Sequence, residues 1–381
     1  MSKKKILLVS TTRADYGLIK RLLFLFKKDL SFMTKFLVCG THFNSKFGNS
    51  YKEILDDNNK IDYKIEVNLK NDKPEDLNTF LNNHSKKLNL ILKDEFKPDL
   101  LILLGDRFEV LSIALTSNIY SIPICHLHAG ETTKGSADEK IRHAISKLSS
   151  IYFVSHKKNQ NNLIKMGINK KRIFNFGALG INEINKYNLN KNLLEKKFNI
   201  SLKKKTFIVT YHPETLDKST KSNFKSLLFA LEKFKDLNFI FTSPNMDEGH
   251  SIIFLEIKKF LKKNNNARFI KSMGKQLFFS SLKHIDGIIG NSSSGIIELP
   301  SFNIPTINIG NRQKERIQSK TIFNCNPKTE EIYSILKKIV KKDIKFKGYN
   351  NVYFKKKTEE KIINTLSKID LKKIKNENWI L

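Results

Sequence analysis

The chain has 381 residues, 40% of them hydrophobic and 28 of them phenylalanine, too long for one typical core and too apolar for a disordered or fibrous protein. Two globular domains are expected. The formal net charge of +32 invites a nucleic-acid or anionic-membrane partner, but the excess is lysine spread along the whole chain, with no basic block interleaved with an RNA-binding aromatic signature, so neither partner is expected.

In chain order, Met1-Ser2-Lys3-Lys4-Lys5 runs into the apolar segment Ile6 to Val9, which is far too short for a signal-peptide core or a membrane span. Cys39, Cys125 and Cys325 are widely spaced and two lie in apolar runs, which fits buried thiols in a reducing cytoplasm better than disulfides or a zinc site. Short apolar, β-branched runs alternate with helical-looking segments, the pattern of βα units feeding a parallel sheet. Strands are predicted at Lys5 to Ser10, Lys35 to Cys39, Asp99 to Leu104, Ile122 to His126, Ile151 to Val154 and Arg172 to Phe176. The rhythm repeats at Thr206 to Thr210, Asn238 to Thr242, Arg268 to Ile270, Gly287 to Ile289 and Thr306 to Ile309. At Gly177-Ala178-Leu179-Gly180 the character changes to an Asn/Lys-rich stretch, which places the domain boundary between 176 and 177. The first domain is then 1–176 and the second 177–381, the latter ending in an amphipathic helix over 355–381. Two such α/β domains facing each other across a cleft would present the C-terminal ends of their strands, the usual ligand side of open sheets, on opposing walls.

Polar clusters follow those strand ends. After the first strand comes Ser10-Thr11-Thr12-Arg13-Ala14-Asp15-Tyr16-Gly17, ahead of the amphipathic Leu18 to Phe26, where a helix N-terminus would suit an anion held by Arg13 and where Thr12 or Asp15 would equally serve as a plain cap. Gly105-Asp106-Arg107-Phe108-Glu109 follows the very apolar Leu100 to Leu104, so charge appears abruptly at the end of a strand that must be buried. His126-Leu127-His128-Ala129-Gly130-Glu131 continues to Asp138-Glu139 and Arg142-His143. The paired histidines lack the further ligands of a zinc set, and no metal is expected. The run gathers the carboxylates Glu131, Asp138 and Glu139, with Asp106 as a fourth; like charges in a partly dry site push some carboxyl pKa values up, so one site can hold both a base and an acid. Asp138 or Glu139 would alternatively cap the helix that follows. Later, Tyr211-His212-Pro213-Glu214 ends a strand, and Gly290-Asn291-Ser292-Ser293-Ser294-Gly295 opens a short helix with Glu298 one turn on. Such a turn offers N–H groups and hydroxyls to phosphate oxygens, or is simply a serine-rich loop with an N-cap. Arg312 and Arg316 lie on the segment after the next strand. Arginine occurs only eight times, and Arg13, Arg107, Arg142, Arg312 and Arg316 all fall in these clusters, as planar bidentate recognition of phosphates or carboxylates would require. Neither a P-loop nor a dinucleotide-binding glycine signature is present.

Together and in this order, Thr11 to Gly17, Gly105-Asp106-Arg107, His126 to Glu131, Asp138-Glu139 through His143, His212-Pro213-Glu214, Gly290 to Gly295 with Glu298, and Arg312 with Arg316 resemble the hydrolysing UDP-N-acetylglucosamine 2-epimerases, over most of the chain. The resemblance implies two Rossmann-like domains in the glycosyltransferase-B arrangement, with UDP held mainly by the second domain. It implies that Asp106, Glu131 and Asp138 or Glu139 form the acid/base set and that His212 protonates or stabilises the departing diphosphate. The implied substrate-binding residues are Arg13, Arg107, His128, Arg142, His143, Asn291, Ser292, Ser293, Ser294, Gly295, Glu298 and Arg312. No cofactor is implied, and a homodimer or homotetramer is. Arg107 looks like the hydrolysing branch, whereas non-hydrolysing relatives usually carry a threonine-like residue there. Ala129 departs from the glycine of many hydrolysing relatives. The implied reaction yields N-acetylmannosamine and UDP for sialic-type acid synthesis; the same chemistry on UDP- or GDP-N,N'-diacetylbacillosamine, giving a precursor of legionaminic acid, is the alternative. A retaining glycosyltransferase is a further reading on the same scaffold and would need an acceptor.

Overall fold

A computed structural model of the chain describes residues 3–45, 48–67, 73–133, 137–214, 219–244, 249–271, 273–342, 344, 346 and 351–376. Strand β1 (Lys4–Ser10) carries the apolar run Ile6 to Val9 and is buried from Ile6 onward. Thr12 then stops the strand and caps α1 (Arg13–Lys28): its Oγ1 accepts the Asp15 N–H at 3.2 Å, and Asp15 Oδ2 accepts the Thr12 N–H at 3.0 Å. Tyr16, Ile19, Leu22, Leu23 and Phe26 recur at helical spacing and bury one face of α1. The first half continues with β2 (Phe32–Val38), α2 (Tyr51–Asp56), β3 (Tyr63–Lys64), α3 (Pro74–Leu90), β4 (Leu100–Leu104) and α4 (Phe108–Ile119). Next come β5 (Ile124–Leu127), α5 (Ala137–Leu148), β6 (Ile151–Val154), α6 (Lys157–Lys165) and β7 (Ile173–Asn175).

These seven strands form one parallel sheet in the order β3-β2-β1-β4-β5-β6-β7. Strand β4 explains its continuous apolar run by facing a core on both sides. Leu100, Ile102 and Leu104 join the cluster that includes the inner face of α1, while Leu101 and Leu103 join one with Val110, Ile113 and Ala114 of α4. Cys39 and Cys125 are buried in these two cores.

The second half contains α7 (Lys191–Phe198), β8 (Thr206–Thr210), α8 (Thr220–Glu232), β9 (Asn238–Thr242), α9 (His250–Lys263), β10 (Ala267–Ile270), α10 (Gly274–Ser281) and β11 (Gly287–Gly290). It ends with α11 (Ser294–Ile297), β12 (Thr306–Ile309), β13 (Ile322–Cys325) and α12 (Thr329–Lys342). The sheet order is β10-β9-β8-β11-β12-β13, again all parallel. In each sheet the order reverses at the first strand of its half, between β1 and β4 and between β8 and β11, the switch points at which open α/β sheets bind ligands. The fold is therefore α/β with two Rossmann-like units, as expected. Two strands went unpredicted: β3 has only two residues and β13 lies half-buried at a sheet edge, so neither carries a buried apolar run.

The expected division of the chain needs correction. One compact unit consists of Met1–Glu131, Asp138–Asn182 and Tyr353–Leu381, the other of Thr132–Ala137 and Glu183–Val352. The boundary thus follows Asn182 rather than residue 176, and the C-terminal segment belongs to the first unit, not the second. Its helices α13 (Thr358–Lys368) and α14 (Leu371–Asn376) place Ile362, Ile363, Leu366 and Leu371 in the same core as α1. Lys4 Nζ donates to the carbonyls of Leu366, Ser367 and Ile369 at the C-terminal end of α13, where a cation suits the helix dipole. Sequence position suggested the nearer domain; the apolar face of α13 was matched to α1 at the far end of the chain.

Candidate active site

In the first unit, Asp106 and Glu131 converge on one buried cation. Asp106 follows β4, Glu131 lies four residues beyond β5, and Arg142 reaches both from α5. The Arg142 guanidinium pairs with Asp106 Oδ2, donates to the His128 carbonyl at 3.0 Å and lies 3.6 Å from Glu131 Oε2. Glu131 Oε1 also accepts the Ser155 hydroxyl at 2.7 Å, and Ser155 Oγ accepts Asn159 Nδ2 at 2.9 Å. Two carboxylates can sit side by side when they share one guanidinium, because the cation lies between them and attracts both. Arg142 was expected to bind substrate; its guanidinium is engaged by these internal partners.

The two histidines on β5 and its end do different work. His126, fully buried, donates from Nε2 to the Gly105 carbonyl at 2.7 Å and takes the Ser146 hydroxyl on Nδ1 at 3.1 Å. Burial, chiefly, lowers its pKa to about 3, so it is a neutral strut that fixes the turn carrying Asp106. His128, also expected to contact substrate, has both ring nitrogens occupied: Nδ1 lies 3.1 Å from Glu131 Oε1, and Nε2 accepts the Leu179 N–H at 3.1 Å. Gly130 has φ 68°, and a Cβ there would come within 2.4 Å of the Asn159 carbonyl oxygen, so only glycine lets the chain turn toward Glu131. Ala129, the departure noted above, fits: its methyl group is buried against Tyr152, Val154 and Leu163. Asp138 and Glu139 lie in the first turn of α5, and Glu139 Oε1 is 3.7 Å from His143 Nε2, one turn on.

At the switch point between β1 and β4, Arg107 Nε faces Glu109, at 3.3 Å from Oε2 and 3.4 Å from Oε1. Burial raises the carboxyl pKa of both Glu109 and Asp15, and the Arg107 charge pulls each back down. Asp15 is thus a structural cap that also accepts the Thr11 hydroxyl at 2.6 Å, which is the plain role weighed for it. Arg13 begins α1, and its burial lowers its pKa while Glu53 opposes the shift. His42, which the sequence did not mark, is fully buried between the Ser10 hydroxyl at 2.8 Å and the Ser50 hydroxyl at 2.9 Å, with its pKa lowered to about 3 by burial.

In the second unit the switch point is tied by an amide. Asn291 Oδ1 accepts the His212 N–H at 2.7 Å and Asn291 Nδ2 donates to the His212 carbonyl at 2.9 Å, locking the ends of β8 and β11 together. The close approach depends on Gly290, where a Cβ would fall 1.9 Å from the Thr210 carbonyl oxygen. Gln313 Nε2 and Arg312 Nη1 donate to the Asn291 carbonyl at 3.0 and 3.4 Å, which brings the segment after β12 to the same turn. Ser292, Ser293 and Ser294 are half-buried at the start of α11, Gly295 lies within it against Thr306, and Glu298 is buried at its end. Arg316 Nε donates to the Thr132 carbonyl at 3.2 Å. Gln313, Ser155 and Asn159 were missed because single polar side chains with no charge give no sequence signal; Glu109 stood in a quoted cluster, but nothing in the sequence told that it is buried.

A cavity of about 880 Å³ in the second unit is lined by none of these residues. It lies at the opposite strand ends, beside Asn238 at the start of β9, with Lys196, Lys204, Lys235, Lys263 and Arg268 around it. Lys196 and Lys263 sit in the last turns of α7 and α9, where cations offset the helix dipoles, so this lining has a structural cause.

A sequence model of the family described as UDP-N-acetylglucosamine 2-epimerase matches residues 26–367. The GDP/UDP-N,N'-diacetylbacillosamine 2-epimerase (hydrolyzing) of Campylobacter jejuni is 38% identical over 333 residues, covering 85% of each chain. The UDP-N,N'-diacetylbacillosamine 2-epimerase (hydrolyzing) of Legionella pneumophila is 33% identical, covering 97% of each. Among solved structures, a UDP-GlcNAc 2-epimerase from Neisseria meningitidis bound to UDP-GlcNAc aligns with a TM-score of 0.83 at 20% identity, covering 96% of this chain and all of that one. Fold and site define an enzyme built from two Rossmann-like units with its polar loops at the strand ends. The chain belongs to the UDP-N-acetylglucosamine 2-epimerase family.

Proposed function

We propose that this enzyme is a cytoplasmic hydrolysing 2-epimerase that takes a nucleoside-diphosphate-linked N,N'-diacetylbacillosamine and water to 2,4-diacetamido-2,4,6-trideoxymannose and the nucleoside diphosphate. The single observation that carries the chemistry is the pair of carboxylates, Asp106 and Glu131, held on Arg142 at the ends of adjacent strands. One carboxylate draws the proton from sugar C2 while the C1–O bond to the diphosphate breaks, leaving a C1–C2 double bond in a glycal. Water then adds its oxygen to C1, and a proton returns to C2 from the opposite face, inverting that centre. Each well-placed acid or base contributes about 10²- to 10⁴-fold, and an unactivated C–H proton needs several. Asp138 or Glu139 supplies the further acid. His212 and the Asn291–Gly295 turn take the departing diphosphate, and Arg312, Glu298, Arg13 and Arg107 hold the nucleotide sugar.

The choice of sugar reverses the order that the family resemblance implied, where UDP-N-acetylglucosamine came first. What favours diacetylbacillosamine is that the relatives from Campylobacter and Legionella, both above 30% identity over most of the chain, carry it in their descriptions. UDP-N-acetylglucosamine, giving N-acetylmannosamine, is the second reading, supported by the substrate named for the Neisseria structure. Incubation in D₂O with UDP- and GDP-diacetylbacillosamine and with UDP-N-acetylglucosamine separates them. The expected result is fastest turnover of a diacetylbacillosamine nucleotide, with deuterium at C2 of the free sugar. Protium retained at C2 would refute elimination, and a strict need for a sugar acceptor would indicate a transferase.

A further inference from the structure

His128 stands at the end of β5 in the left-handed conformation, with φ 58°. Its Nε2 receives a backbone N–H, from Leu179 at 3.1 Å, so that nitrogen must offer a lone pair. In the neutral ring the proton is then on Nδ1, which donates to Glu131 Oε1 at 3.1 Å. Leu179 is no arbitrary partner. It lies in the segment by which the chain leaves the first unit, and that segment is bonded to the one by which it returns. The Ala178 N–H donates to the Tyr353 carbonyl at 2.9 Å, and the Gly180 N–H donates to Oε1 of the buried Glu359 at 2.8 Å. A chain of hydrogen bonds therefore runs from the paired exit and return segments, through one imidazole, to a carboxylate.

We propose that His128 is a positioning residue which, through a fixed Nδ1–H tautomer, ties the carboxylate of Glu131 to the Leu179 backbone and makes no contact with substrate. The inference rests on Glu131 being an acid/base group, but the tautomer does not. Glu131 is faced by His128 from the end of β5, by Arg142 from α5 and by Ser155 beyond β6; Asp106 lies across Arg142, and the neutral His126 is close by. Of these, only His128 links Glu131 to the exit segment.

Two measurements test it. In protein labelled with ¹⁵N in its imidazoles, a signal removed by His128→Asn should show protonated Nδ1 and bare Nε2 at neutral pH without any substrate. An Nε2–H tautomer overturns the proposal, whatever the enzyme acts on. Kinetically, with whichever nucleotide sugar turns over, His128→Leu should cut kcat by about 10²-fold with KM changed by less than about 3-fold, since geometry at an acid/base group is lost. The acidic limb of its kcat–pH profile should rise by about half a unit to one unit, because a carboxylate that loses a neutral donor holds its proton more tightly. His128→Asn, which keeps an N–H near the Nδ1 position, should recover most of kcat and return the limb. A rise in KM alone, as from a lost substrate contact, or a kcat loss with an unmoved limb in both variants, overturns the proposal. If His128→Leu does not fold, the tautomer and the asparagine variant still decide.

Discussion

Arg142 illustrates how one cation sets the behaviour of two acids. Asp106 and Glu131 come from different strands, yet each addresses the same guanidinium, so removing either acid leaves the other in place with its own partner. This gives a separable prediction: Asp106→Asn and Glu131→Gln keep shape and volume and remove a proton acceptor. Each should lower kcat by about 10²- to 10⁴-fold while binding of the nucleoside diphosphate, measured by calorimetry, stays within about 3-fold of wild type. A parallel loss of nucleotide affinity would mean that these carboxylates organise the fold and not the reaction. At this scale the sequence was informative about charge and silent about partners. It marked Asp106, Glu131 and Arg142, but not that Arg142 is spent on the two acids, because that pairing joins residues 36 and 11 positions apart on three elements.

Among the elements, the C-terminal helices show how far apolar patterning reaches. The spacing of Ile362, Ile363, Leu366 and Ile369 predicted an amphipathic helix, and α13 is one. What it covers could not be read from the pattern, since any sheet or helix with an apolar face would serve. In the structure it closes the core over α1, assisted by Arg21, whose Nη2 lies 2.9 Å from Glu360 Oε1. Leu366→Ala should therefore cost about 2–5 kcal/mol in denaturant unfolding of the first unit, the usual range for truncating a buried leucine. No change in unfolding midpoint would contradict the docking of α13. The strands were legible wherever both faces are buried, as in β4, and also at the half-buried edges β7 and β10, but β3, two residues long, and the edge strand β13, with no buried residue, were not.

The molecule as a whole carries a pH dependence written in its buried histidines. His42 and His126 have pKa values lowered to about 3 and His84 to about 4, in each case chiefly by burial, against 6.5 for a free side chain. The unfolded chain thus binds more protons between those values and pH 6.5, so the stability these groups contribute is full above pH 6.5 and is lost as pH falls, by about 1.4 kcal/mol per unit for each. Asp15 and Glu109, with raised carboxyl pKa values, work in the opposite sense. His84 isolates the effect: it is fully buried, stacks on Phe80, and neither ring nitrogen has a hydrogen-bond partner among the described residues. His84→Leu should gain about 2 kcal/mol more over wild type at pH 5 than at pH 8, read from unfolding curves at the two pH values. Equal differences at both would show that His84 is not held neutral by burial.

The amino-acid sequence alone determined the α/β class, two successive parallel sheets, the strand-end placement of the polar clusters and the family. The first three follow from periodicity and from residue types at short range, where the chain's own spacing sets geometry; the family follows from the resemblance of the motifs taken in order. Tertiary structure decided the rest: which unit receives the C-terminal helices, which acids share Arg142, and that His128 meets Glu131 with one ring nitrogen and the Leu179 N–H with the other. Those facts depend on burial and on donors such as the Leu179 N–H, a group every residue but proline possesses, which acquires meaning only when folding brings one imidazole to it.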